Sequence, residues 1–327
     1  MRAGNIAVIG AGLAGLSAAY YLKEAGFSVS VFEKNSFIGG RLSSFSNVNS
    51  EVDLGAQYFT ARSTIVLDLL TKWQQQGRVA KWSPRLKVID EEGVSDKEPS
   101  AVDRWVATPT MASMVDVFAT SLDIYCQHHV NQVSYLGEPG WQIAFSHTDQ
   151  RQVFSTVLMA IPSPLIAPLV VGAYPKWLER LKHIEFLPTL GALVSFTKEP
   201  DFDAAFINCG ILRWLASNSA KPGRRKDLDW TVHLDHEWSA KHAHLNTPDI
   251  AQHIIEAWQL LSLPFAIKEV TPFYWPQAIS YAAASDELAW DSSLNIAALG
   301  DALEGGRVEG ALMSGYRLSQ AMINELG

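Results

Sequence analysis

Near the N-terminus, Val8-Ile9-Gly10-Ala11-Gly12-Leu13-Ala14-Gly15 sets G-x-G-x-x-G between an apolar run and a helical pattern. No other stretch constrains the fold as strongly. The run Ile6 to Ile9 reads as a strand, Leu13 to Ala25 as a helix, and Ser28 to Phe32 as a second strand ending in Glu33. The three glycines act differently. Gly10 permits the tight turn, Gly12 lets backbone approach a pyrophosphate, and Gly15 lets the helix pack on the strand. Free N–H groups at the helix start suit phosphates, and an acid at position 33 can accept both hydroxyls of an adenosine ribose. Glycines alone would say little; strand, glycines, helix and a following acid together indicate a dinucleotide site. An acid favours a free 2′-hydroxyl, so FAD or NAD over NADP.

Composition narrows the class. A chain of 327 residues, 48% hydrophobic and 18% charged, suits a compact enzyme of two lobes and excludes a disordered one. The longest apolar candidate for a membrane span, Leu165 to Tyr174, is short and contains Pro168. The first apolar segment is already the nucleotide strand, so no signal peptide is expected and a cytoplasmic protein follows. Cys126 and Cys209 form no C-x-x-C. A net charge of −8 argues against nucleic acid as a partner. The one basic cluster, Lys221-Pro222-Gly223-Arg224-Arg225-Lys226, reads as a solvated loop, or alternatively as a loop reaching substrate phosphates.

The pattern of segments predicts an α/β chain: a discontinuous Rossmann-like domain with a second, α+β domain on a mainly antiparallel sheet. The first takes residues 1–70, 102–165 and 285–327; the second takes 71–101 and 166–284. Helices are expected at Thr64 to Gln76, Thr110 to Leu122, Glu237 to Leu245, Pro248 to Leu261 and about Glu309 to Glu325. β-rich segments at Thr189 to Phe196, Ile211 to Leu215, Thr231 to Leu234 and Lys268 to Trp275 form the central sheet.

Three further features favour FAD over a nicotinamide cofactor in the glycine site. Gly39-Gly40-Arg41 offers backbone and a cation to phosphates. Small residues in Val52-Asp53-Leu54-Gly55-Ala56-Gln57-Tyr58 can let a flat ring lie on the main chain. Ala298-Leu299-Gly300-Asp301, followed by Gly305-Gly306-Arg307-Val308-Glu309-Gly310-Ala311, sets another helix start after a buried strand, suited to the electron-rich edge of a reduced flavin.

At these residues the chain resembles the FAD-dependent amine oxidase superfamily along essentially its whole length. It is most similar to renalases, especially bacterial ones, through Leu54-Gly55-Ala56-Gln57-Tyr58-Phe59-Thr60-Ala61-Arg62, Ile211-Leu212-Arg213-Trp214-Leu215-Ala216 and Gly305 to Ala311. The resemblance implies oxidation of dihydro-NAD(P) isomers reduced beside the ring nitrogen, yielding NAD(P)+ and, with dioxygen, hydrogen peroxide. It also implies Gly12 and Ala14 at the pyrophosphate, Glu33 and Lys34 at the ribose, and Arg41 near the phosphates. Val130 would meet the adenine, and Asp301 the pyrophosphate–ribityl region. The full cofactor set is then Gly10, Ala11, Gly12, Leu13, Ala14, Gly15, Glu33, Lys34, Gly40, Arg41, Ala56, Gln57, Tyr58, Val130, Gly300, Asp301, Val308 and Ala311. Monoamine oxidases attach flavin through a cysteine near the last motif; Ala311-Leu312-Met313-Ser314-Gly315 has none, so FAD is expected to bind non-covalently. No counterpart of the lysine that serves flavin chemistry in many amine oxidases stands out.

Hydride transfer from a dihydropyridine needs orientation and no general base. No catalytic acid or base is therefore assigned. Candidate pocket residues are Gln57, Tyr58, Phe59, Thr60, Ala61 and Arg62, with Trp214, Trp275 and Tyr281 on the opposite wall. The expected partners are a dinucleotide substrate and dioxygen, without nucleic acid or membrane. His233, His236, His242 and His244 form no H-E-x-x-H, and helical spacing would turn His242 and His244 apart; no metal is expected. His128-His129 reads as part of a strand with rings on opposite faces. No G-x-S-x-G elbow occurs. A flavin amine oxidase or desaturase, and a binding protein on the same fold, are the competing readings.

Overall fold

The computed structural model describes residues 4–46, 51–97, 102–146, 148–225, 229–281 and 287–326. The chain divides into two compact units. Unit one is Met1–Gly40, Met114–Phe186 and Ser280–Gly327; unit two is Arg41–Ser113 and Leu187–Ile279.

Unit one is built on a six-stranded sheet. Its spatial order is Ala289–Asp291, Ile296–Ala298, Thr156–Met159, Asn5–Ile9, Ser28–Phe32 and Asp123–Tyr125. The last five pair in parallel, and Ala289–Asp291 joins antiparallel. Ile6 to Ile9 and Thr156 to Met159 are buried at every position, which is the pattern of strands covered on both faces. A second, four-stranded sheet contains Val130–Tyr135, Trp141–Phe145 and Arg151–Phe154, and its Trp141, Ile143 and Phe145 share a core with Ile9, Phe32 and Met159. The helices Leu13–Glu24 and Arg307–Leu326 touch where Gly315 lies: a Cβ there would stand 2.4 Å from the carbonyl oxygen of Ala14.

Unit two is built on a seven-stranded sheet ordered Ile267–Ser280, Phe186–Phe196, Asp229–Leu234, Leu212–Ser217, Ala204–Ile207, Leu86–Asp90 and Gly93–Asp96. Phe186–Phe196, Asp229–Leu234, Leu212–Ser217 and Ala204–Ile207 run antiparallel to their neighbours in turn, and Ala204–Ile207 pairs in parallel with Leu86–Asp90. One face packs Ala192, Val194, Leu215, Trp230, Val232 and Leu234 against Ile250, Ile254 and Trp258. Those three come from the helix Thr247–Leu260, whose apolar residues recur every fourth position and whose first turn Asn246 caps through the N–H of Asp249.

The α/β class with a Rossmann-like unit and a second, mainly antiparallel sheet matches the expectation; several local assignments do not. Residues 41–70 and 102–113 pack in unit two, because Asp53 and Phe59 bond to residues 218–231 and to Trp105. Residues 166–186 pack in unit one, where Ile166, Trp177 and Leu181 enter its core. The helix expected over Thr110 to Leu122 is a 3₁₀ turn, Met111–Val115, followed by one short turn, Asp116–Ala119. Thr110 and Ser113 bond each other there, a local alternative to helix. His128 and His129 lie outside a strand, since Gln127 turns the chain at φ 58°. The helix His236–His242 ends before His244, which lets the two rings of His242 and His244 stack at 6.4 Å rather than point apart. Among the described residues no helix is long and apolar enough to cross a membrane.

Candidate functional site

In unit one the glycine loop has the shape its residues require. Gly10 has φ +104°, and a Cβ on it would lie 2.5 Å from the carbonyl oxygen of Ala160. A Cβ on Gly15 would lie 2.2 Å from the carbonyl oxygen of Gly10. Gly12 differs: nothing stands within 4 Å of its Cβ position, although it begins the helix, and no side chain caps that helix start. Open space over a helix start, walled by obligatory glycines, fits the pyrophosphate of a dinucleotide. Gly39 donates its N–H to the carbonyl of Ala11 and turns at φ +105°. The second glycine pair is thereby brought against the first, and a Cβ on Gly40 would lie 3.5 Å from the Cα of Gly12.

Glu33 is buried at the end of its strand. Its carboxylate accepts the N–H of Ala11 at 3.0 Å and both the backbone N–H and side-chain amide of Asn35, at 2.9 and 2.8 Å. The ribose-binding candidate thus also ties the glycine loop to the second strand. Lys34 beside it is exposed. Ala11, Leu13, Ala14 and Val130 are buried. Gly300 donates its N–H to Ser314, Asp301 is buried just beyond it, and Val308 and Ala311 are half-buried on the last helix. All of these lie in unit one, as does Tyr281, which is 71% exposed.

Unit two holds a constellation that local sequence reading did not assemble. Asp53 is fully buried, and its Oδ2 accepts from Lys221 Nζ at 2.9 Å and from Arg224 Nη2 at 2.7 Å. Its Oδ1 accepts from Ser44 Oγ and from the N–H of Met111, both at 2.8 Å. Lys221 also donates to Gln57 Oε1 at 3.0 Å and Asn218 Oδ1 at 3.3 Å. Burial alone would raise the Asp53 carboxyl, but the two cations and these hydrogen bonds hold it down at about 2. For Lys221, burial outweighs the pull of Asp53 and lowers its ammonium to about 8. Burial likewise drops His233 to about 4, so at neutral pH its ring is uncharged and donates from Nε2 to the carbonyl of Leu54 at 2.9 Å.

Two members of the basic cluster are therefore not solvated: Lys221 and Arg224 have fully buried side chains spent on Asp53, while Arg225 is exposed. Lys226 lies outside the described residues. One sequence signal could have found the pairing. An acid inside the small, apolar run Val52-Asp53-Leu54-Gly55-Ala56 needs a cation if buried, and positions 221–226 are the one basic cluster.

This network lies along the sheet face opposite the apolar core. Thr231 donates to the carbonyl of Asp53, and His233 holds that of Leu54. Across the strands, His233 pairs with Trp214, and Trp214 pairs with Phe206. A register irregularity between Leu212 and Trp214 makes this possible: Leu212 faces the core, whereas Trp214 turns to the other face. There the Trp214 ring meets Phe206 at 4.7 Å and Tyr58 at 5.5 Å, and Tyr58 lies 6.0 Å from Trp82. The Arg104 guanidinium stacks over Tyr58 at 5.5 Å. Trp214 Nε1 and Arg104 Nε are buried without a hydrogen-bond partner, as is Trp275 Nε1.

The remaining candidates divide. Tyr58 and Trp214 meet; Gln57 turns inward, its amide donating to the carbonyls of Asp53 and Gly55. Phe59 is buried in reciprocal backbone bonds with Trp105, Ala61 is buried, Thr60 is half-buried and Arg62 is exposed. Ala56 donates its N–H to the carbonyl of Arg41, whose guanidinium donates to the carbonyl of Ala278. Trp82, Phe206 and Arg104 were not foreseen. Among the described residues no group of three or more His, Cys, Asp or Glu side chains is arranged to hold a metal ion.

Comparison with known proteins bears on this arrangement. Residues 8–73 match the NAD(P)-binding Rossmann-like domain family. A 1-hydroxycarotenoid 3,4-desaturase of Flavobacterium sp. (strain P99-3) is 49% identical over 53 residues, 16% of this chain and 11% of that protein. An L-amino-acid oxidase of Notechis scutatus scutatus is 37% identical over 71 residues, 21% of this chain and 14% of that protein. These likenesses thus span only a small part of the curated relatives' length. Solved structures match throughout. A proposed protoporphyrinogen oxidase from Exiguobacterium sp. 255-15 superposes with a TM-score of 0.80 at 12% identity, over 99% of this chain and 100% of that one. A fatty acid isomerase from P. acnes that produces CLA gives 0.74 at 12% identity, over 98% and 99%. An oxidase and an isomerase share this fold, so fold alone does not name the reaction. The N-terminal likeness covers the dinucleotide-binding segment, the solved structures show that the whole chain shares their fold, and the glycine cradle of unit one fits a dinucleotide cofactor such as FAD.

Proposed function

We propose that this chain is an FAD-dependent oxidase of the renalase type, which converts dihydro-NAD(P) isomers reduced beside the ring nitrogen into NAD(P)+. Unit one would hold the adenosine and pyrophosphate of FAD, with Gly12 against the phosphates and Glu33 at the ribose. Bound flavin would supply the hydride acceptor and the route of the electrons to dioxygen. The balance is one dihydro-NAD(P), one O2 and one proton giving one NAD(P)+ and one H2O2. The chain's own residues need not move a proton: the ring nitrogen's lone pair expels the hydride, and aromaticity is gained. Their work is orientation. We place this activity in the cytoplasm, where its dinucleotide substrate is found.

The observation that carries the reading is the buried, unpartnered Nε1 of Trp214 in the aromatic face of unit two. A buried donor without an acceptor is unfavourable by about 1–3 kcal/mol, and a ligand carbonyl would relieve it. Arg104 Nε is a second such donor, and both groups flank Tyr58. The carboxylate bound into this face, Asp53, is neutralised by two cations. Flat rings with hydrogen-bond donors suit a dihydronicotinamide carrying a carboxamide better than a cationic amine. Amine oxidation is the second reading, favoured by the sequence likeness to an L-amino-acid oxidase. Aerobic turnover of borohydride-generated NADH isomers tests the proposal: NAD+ and peroxide should appear one to one, and Trp214→Phe should raise KM about tenfold. Failure to form NAD+ from any isomer would remove it.

A further inference from the structure

Lys221 joins Asp53 to two neighbours of Tyr58, Gln57 in the chain and Trp82 in space. Its ammonium bonds Asp53, two residues before Gly55, and Gln57, immediately before Tyr58. It also stands 5.9 Å over the ring of Trp82, whose indole N–H donates to the carbonyl of Ala220 at 3.2 Å. The backbone between these points is held as well. The carbonyl of Asp53 accepts from Gln57 and Thr231, that of Leu54 from His233, and that of Gly55 from Gln57. The N–H of Asp53 goes to Asn218. The segment leading into Tyr58 is thus fixed at both ends through one buried ammonium, with Arg224 balancing the charge of Asp53.

We propose that Lys221 is a positioning residue: by tying Asp53 to Gln57 beside Trp82, it sets the direction of the Tyr58 ring within the substrate-side aromatic face. The significance for catalysis rests on the reading of that face given above. Arg224 cannot replace Lys221 in this role. Its guanidinium bonds Asp53 and the carbonyls of Ala107 and Pro222, and it makes no bond to Gln57.

The test is Lys221→Met in the FAD-loaded protein, with Gln57→Met as a second variant that breaks one Lys221 bond and leaves the Asp53 ion pair. Near-ultraviolet circular dichroism reads the Tyr58, Trp82 and Trp214 rings without substrate, and steady-state kinetics reads KM against kcat. Loss of part of the aromatic signal is expected in both variants. KM for the dihydro-NAD isomer should rise about tenfold for Lys221→Met and about threefold for Gln57→Met, with kcat within about twofold. An unchanged aromatic spectrum together with an unchanged KM overturns the proposal. A Lys221→Met protein that fails to fold leaves the decision to Gln57→Met. Should the unmodified enzyme oxidise no isomer, the substrate reading falls, and the circular dichroism still decides whether Lys221 sets the ring.

Discussion

The two units solve the problem of placing polar groups in opposite ways. Unit one uses backbone: Gly10 and Gly15 exist because a Cβ would strike a carbonyl oxygen, while the open position at Gly12 leaves room for a ligand. Unit two uses side chains distant in sequence, with Lys221 and Arg224 reaching Asp53 across 168 and 171 positions. A backbone cradle is written within about 30 residues and depends on little else. A buried ionic knot depends on the whole sheet being in register, and it is only as good as its last partner.

The largest effect that could break this comparison is in the knot. Asp53→Ala should destabilise unit two by about 3–5 kcal/mol, because two buried cations would lose their counter-charge. Urea unfolding of the purified protein measures it, and a change below about 1 kcal/mol would mean the charges find water. Gly10→Ala is expected to remove about 3 kcal/mol from unit one, since a Cβ at φ +104° would meet a carbonyl oxygen at 2.5 Å. A normal melting temperature in that variant would contradict the steric explanation of the loop.

A smaller effect concerns acid. With its carboxyl at about 2 instead of the ordinary 3.8, Asp53 contributes about 2 kcal/mol of stability. A depressed carboxylate adds stability that is complete above the ordinary value. It fades as pH falls through about 2. Stability curves from about pH 5 to about pH 2 should therefore drop more steeply in the unmodified protein than in Asp53→Asn; parallel curves would remove Asp53 as the source. Smallest is Gly12→Ala. The apo-protein should melt normally, because the Cβ meets nothing within 4 Å, while FAD affinity falls about tenfold. Titration with FAD reads this directly, and unchanged affinity would mean the cradle does not receive the pyrophosphate.

How much could be read beforehand follows the same division. The G-x-G-x-x-G turn, Glu33 and the Gly300-Asp301 step are local motifs, and each stands in unit one on the element its spacing indicated. Helix Thr64–Gln75 and strand Phe186–Phe196 were legible for the same reason: apolar periodicity is local. The aromatic face was not. Simple alternation puts Leu212 and Trp214 on one side, and a single extra residue in the strand reverses that. Nor could charge patterning reveal that Lys221 and Arg224 of the Pro-Gly turn point inward. Pro and Gly mark a turn, but burial of Lys221 is decided by Asp53, which the sequence leaves far away. Gln57 shows the limit for single residues: it precedes Tyr58 in the chain, yet its amide faces Lys221 and the backbone.

The proposed reaction is the oxidation of a dihydronicotinamide ring by bound FAD. Anaerobic rapid mixing tests this most directly. The yellow, FAD-loaded protein would be mixed separately with borohydride-generated NADH isomers and with simple amines, following flavin absorbance. Rapid bleaching by an isomer reduced beside the ring nitrogen, and none by amines, is the expected result. Bleaching by amines with no response to the isomers would contradict it.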